Sequence, residues 1–97
     1  MKIFVVVLRF AENRDLAIKY MSSHNDWITK GISEGKVLIV GGLESGNGGC
    51  IIARSSDRPS LDEFIQKDPF IENDIVSSEV IEFTPSLSSE GLNFLLN

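Results

Sequence analysis

The chain has 97 residues, 42% of them hydrophobic, with nine Lys and Arg against fourteen Asp and Glu for a net charge of −5. That length holds one domain, which excludes a two-domain enzyme, a TIM barrel or a full dinucleotide-binding fold, and it supports a core without disulfides or a structural metal. The acidic balance argues against nucleic acid as a partner, and the lack of a basic amphipathic face or an apolar run longer than Ile3 to Leu8 argues against a membrane.

Met1 and Lys2 lead directly into that apolar run, so no secretory signal is read and a soluble, cytoplasmic protein is expected. A single Cys and a single His cannot supply the ligand set of a zinc site. Metal chemistry would have to rest on carboxylates alone.

Lys2 to Phe10 is short and rich in β-branched and aromatic residues, which predicts a strand. Phe4, Val6, Leu8 and Phe10 share one face and Ile3, Val5 and Val7 the other, so a single layer of helices cannot cover it. After a turn at Ala11 to Asn13, with Asn13 a candidate N-cap, Leu16, Tyr20, His24, Trp27, Ile28 and Ile32 recur at helical spacing and predict one apolar stripe. Gly35 ends this helix, and Lys36 to Gly42 predicts a second strand.

A loop over Glu44 to Gly49, with Asn47-Gly48-Gly49 offering positive-φ positions, then joins it to a strand at Cys50 to Arg54 as an antiparallel hairpin. Ser60-Leu61-Asp62-Glu63 reads as a capping box that starts a second helix with Leu61, Phe64 and Ile65 inward. Pro69 stops that helix and forces Asp68 out of the helical region. Ile75 to Phe83 predicts a fourth strand, ended by Pro85, and the tail at 86–97 predicts a short helix capped by Ser88 or Ser89.

The order is βαββαβ plus a tail. This is the α+β, ferredoxin-like arrangement of a four-stranded antiparallel sheet with two helices on one face, formed by residues 1–85. The bare sheet face predicts a twofold homodimer that packs two such faces into a closed, barrel-like core.

His24 is the only histidine, the residue type that accepts and releases protons near neutrality, so acid/base chemistry looks first to it. A packed histidine that satisfies a carbonyl is the competing reading. Asp68, held extended before Pro69, can turn its carboxylate back over the sheet, and if it reaches His24 it fixes one imidazole tautomer. Asp-Pro as a plain helix stop competes there. Asp26 is a poorer partner, since it faces elsewhere on the helix.

Trp27 lies one turn from His24 and is either a pocket wall or a core aromatic. Gly41 and Gly42 fit no phosphate-binding pattern, but they allow a ligand close to the backbone. Arg9, the one charge on its strand face, either anchors an anionic group at a barrel rim or pairs with an acid across the dimer. Cys50 has no second His to activate it and is expected to be small and buried.

Three segments together resemble the YCII-related family of the dimeric α/β barrel superfamily: His24-x-x-Trp27; Glu34-Gly35-Lys36-Val37-Leu38 followed by Gly41-Gly42; and Asp68-Pro69-Phe70. The resemblance spans residues 1 to about 84. It implies a homodimeric, ferredoxin-like barrel with a paired His and Asp, at matching positions His24 and Asp68. Two departures stand out: Met21-Ser22-Ser23 occupies the place where many relatives carry Arg before the His, which argues against an anionic substrate, and Gly42-Leu43 replaces Gly-Pro.

Two functional expectations follow. The first is a cofactor-free, metal-free enzyme of the lyase or isomerase type, with His24 moving a proton on a small hydroxylated or aromatic molecule and Asp68 orienting it. Its pocket is expected to hold Trp27, Tyr20, Phe70, Gly41, Gly42 and Arg9. The second is a non-catalytic dimeric module that binds a small molecule or another protein.

Overall fold

The computed structural model describes residues 1–96. Four strands form one antiparallel sheet: β1 (Lys2–Phe10), β2 (Val37–Gly42), β3 (Gly48–Ser55) and β4 (Val76–Phe83), in the order β2-β3-β1-β4. The helices α1 (Ala17–Ser33), α2 (Arg58–Gln66) and the single turn α3 (Pro69–Glu72) pack on one side. This is the ferredoxin-like order, with β2 and β4 as free edges.

Strand alternation builds the core as the sequence predicts. Phe4, Val6 and Leu8 of β1 meet Ile51 and Ala53 of β3, all buried, and close against Leu61 and Ile65 of α2 and Phe70 of α3. Ile51 faces the helices, so Cys50 and Ile52 start toward the other face, beside Val7 and Val5. That second face carries Ile39, Ile81 and Phe83, all exposed.

Several boundaries differ from the sequence reading. A 3₁₀ turn at Arg14–Leu16 precedes α1, and Asn13 makes no side-chain cap; its amide donates instead to the Asn73 carbonyl at 3.0 Å. The start of α2 is set by Asp57, whose carboxylate accepts from the Ser60 backbone N–H at 2.8 Å, with Pro59 in the first turn. Ser60 is therefore inside the helix and not its cap, because Pro59, with its fixed φ, already suits the first turn and the extended Asp57 ahead of it supplies the cap.

Gly35, at φ +75°, ends α1 as predicted. Ile32, placed on the apolar stripe, is 49% exposed, and the buried residue of that turn is Gly31. A Cβ there would stand 2.8 Å from Val37 Cγ2 and 2.9 Å from Phe64 Cζ, so the helix rests on the sheet through a missing side chain.

Pro69 does not simply end a helix. Asp68 is extended, at φ −65° and ψ 122°, and caps the new turn α3 that Pro69 begins. The tail forms a 3₁₀ segment at Glu90–Leu96 with Leu87, Leu92 and Phe94 exposed. The tail's last position, Asn97, lies outside the described residues. Among the described residues no helix is long and apolar enough to cross a membrane.

Candidate functional site

α1 and α3 bring His24 and Asp68 together across the sequence. Nδ1 of His24 lies 2.7 Å from Oδ1 of Asp68, and the carboxylate is fully buried. The same Oδ1 accepts from the Phe70 backbone N–H at 3.0 Å, so the bond that caps α3 also fixes the carboxylate in front of the imidazole. The Phe70 ring lies flat on the His24 ring, with centroids 3.9 Å apart and planes 4° from parallel. Asp68 Oδ2 is sealed from solvent with no hydrogen-bond partner among the described residues.

A carboxylate oxygen accepts and does not donate, so the neutral imidazole carries its proton on Nδ1 and presents a lone pair at Nε2. The ring retains 11% side-chain exposure and lines a cavity of about 190 Å³. Leu8, Phe10, Met21, Ile28, Phe70 and Val76 supply apolar walls; Asn25, Val40, Gly41, Gly48, Gly49 and Cys50 complete it.

Missing side chains make this space. Gly49, opposite Gly42, sits at the helix-facing position that continues the row of Ile51 and lines the cavity with no side chain to fill it. Gly48, at φ +141°, is required at its position, since a Cβ would overlap the Leu8 carbonyl oxygen.

The other predicted pocket residues divide. Phe70 and Gly41 line the cavity. Gly42 adjoins it through Gly49 without lining it. Tyr20 packs against the core and does not reach the cavity.

Trp27 stands with its ring 6.3 Å from that of His24, but it stacks on Phe64 at 4.6 Å, donates Nε1–H to the Phe64 carbonyl at 3.3 Å, and walls a different cleft. Arg9 is excluded from the pocket. It lies on the opposite sheet face and pairs with Glu79 of the neighbouring strand at 2.8 Å, because its odd position in β1 turns it away from α1. Cys50 is half-buried and lines the cavity, where full burial was expected.

The sequence reading missed Asn25, Met21 and Gly49. A signal for Gly49 was present, since a glycine in register with buried Ile51 marks a hole in the helix-facing layer.

No protein-family model matches the chain, and no curated protein matches it. Solved structures do. Over 81% of this chain and 90% of the other, it resembles 5-chloro-2-hydroxyhydroquinone dehydrochlorinase from Burkholderia phenoliruptrix AC1100, solved with 2,5-dihydroxybenzoquinone, at 15% identity and a TM-score of 0.65. Over 93% of this chain and 97% of the other, it resembles an antibiotic-biosynthesis-monooxygenase-like protein from Deinococcus radiodurans, at 13% identity and a TM-score of 0.55. Identities this low speak for shared architecture alone: the chain has the ferredoxin-like α+β fold of these two proteins.

Proposed function

We propose that this chain is a small-molecule enzyme of the lyase or isomerase type, related to the YCII-related proteins, in which His24 moves a proton and Asp68 positions and charge-balances it. The observation that carries this reading is the 2.7 Å contact between the His24 Nδ1 and the buried Asp68 Oδ1, with the same imidazole lining a cavity. Both halves of a general base are thereby supplied: a lone pair at Nε2 and an anion that balances the imidazolium once it forms.

The proposed cycle conserves its proton. Nε2 takes it from an acidic C–H or O–H of the substrate, and the electron pair moves into the adjacent π system. The imidazolium then returns the proton to another carbon in an isomerisation, or to a departing group in an elimination. Neither a metal nor a cofactor enters this cycle.

The apolar walls around Phe70 and Phe10 suit a small flat molecule, and the dehydrochlorinase with its bound dihydroxybenzoquinone supports hydroxylated rings as the first class to try. The exposed apolar residues of the bare sheet face, Ile39, Ile81 and Phe83, support a homodimer through that face.

The test is hydrogen exchange and turnover in D₂O with a panel of hydroxylated aromatics that includes 2,5-dihydroxybenzoquinone. Wild-type protein is expected to accelerate loss of a substrate proton, and His24→Ala to lower that rate about 10²- to 10⁴-fold while leaving the fold intact. Saturable binding with every molecule returned unexchanged would replace this reading with that of a non-catalytic binding module.

A further inference from the structure

We propose that the chain carries a second ligand site, for a small organic oxyanion, in the cleft of about 440 Å³ at the opposite end of β3 from the His24 cavity. The cleft lies between the end of α1, the start and middle of α2 and the Ser55 end of β3. It has more than twice the volume of the cavity at His24 and a different chemistry.

Charge is the first argument. Of nine Lys and Arg in a chain of net charge −5, Lys30, Lys36, Arg54 and Lys67 line this one cleft. Only two carboxylates accompany them, and each is already engaged by a neighbouring lysine: Glu34 with Lys36 at 3.5 Å and Glu63 with Lys67 at 3.9 Å. Lys30 and Arg54 have no ion-pair partner among the described residues. An acidic protein that gathers uncompensated cations at one concave place favours an anion there. By contrast, no Lys or Arg lines the His24 cavity.

Hydrogen bonding is the second argument. Arg54 leaves β3 on the face of Ile3 and its Nε is sealed from solvent, so the donors within reach of a ligand are the cleft's lysines and serines. Ser55 and Ser56 supply hydroxyl donors at the β3 end of the cleft. Carboxylate and phosphate oxygens are the acceptors that match such donors.

The stacked rings of Trp27 and Phe64 form the apolar side of the cleft, which suits an organic body behind the charged head.

The single Trp and single His make the test selective. Phenyl phosphate, benzoate, inorganic phosphate and phenol are titrated separately into the full chain, with the Trp27 indole N–H and the His24 ring followed by NMR. Phenyl phosphate or benzoate is expected to shift the indole saturably below about 10 mM, while the His24 signals keep their wild-type positions. Binding of phenyl phosphate and inorganic phosphate without benzoate assigns phosphate monoesters, and of benzoate alone assigns carboxylates.

Lys30→Gln, at an exposed position, is expected to weaken binding about three- to fivefold, and salt at about 0.5 M to weaken it further. An indole unmoved by all three anions overturns the proposal. So does affinity unchanged in Lys30→Gln, or phenol binding as well as phenyl phosphate.

Discussion

The imidazole of His24 lies parallel to the Phe70 ring at 3.9 Å, and the backbone N–H of that same Phe70 holds the Asp68 oxygen that faces Nδ1. One residue thus fixes the plane of the base and the direction of its partner. Ring rotation that would break the Nδ1 contact has to displace a buried aromatic, so the pair is preorganised before any ligand arrives.

Nitrogen-15 NMR of the neutral His24 ring is therefore expected to show the proton on Nδ1, with Asp68→Ala abolishing that preference and Asp68→Asn weakening it. Equal tautomer populations in wild type would remove the basis for a base at Nε2. Asp68→Ala also strips the acceptor from two buried donors, and urea denaturation is expected to show a loss of about 3 kcal/mol.

Gly31→Ala tests how α1 seats on the sheet. Alanine gains about 1 kcal/mol in intrinsic helix preference. Its Cβ, however, would meet Val37 Cγ2 at 2.8 Å and Phe64 Cζ at 2.9 Å, and Val37 is buried in the core. Overpacking costs about 1–3 kcal/mol, so a net loss of about 1 kcal/mol is expected, and a stabilised variant would contradict this packing.

Asp57 links the start of α2 to pH. The backbone N–H of Ser60 beside its carboxylate holds it below the ordinary aspartate value of 3.8. A carboxylate lowered in the folded state stabilises the fold above its unfolded value, and the contribution fades as pH falls through the folded one. Wild type is thus expected to lose more stability than Asp57→Ala on acidification from pH about 5 to about 3, with the midpoints converging at the acid end. Parallel pH profiles would exclude the cap from acid sensitivity.

The dimer proposed through the open sheet face makes Ile81, half exposed on edge strand β4, a site to probe without touching the core. Ile81→Lys places a charge in the proposed contact and is expected to shift the mass measured by light scattering from dimer to monomer, with the circular dichroism spectrum kept. A wild-type monomer at all concentrations would end the dimer proposal.

Local pattern determined the elements. Lys2 to Phe10 is so rich in β-branched and aromatic residues that the strand and the membership of its two rows are legible, and Pro69 requires Asp68 to be extended whatever else surrounds it. The candidate base and its partner could be named for the same reason, as the sole His on a helical stripe and an Asp held at a helix start. What the sequence could not decide was contact across distance. Trp27 is one turn from His24 and turned to a different cleft; Arg9 is in the right strand and on the wrong face; Gly49 looked like part of a turn and proved to be the floor of a cavity. Periodicity specifies which side of an element a residue occupies, but only the packing of α1 and α3 on the sheet decides which sides meet, and where missing side chains leave room for a ligand.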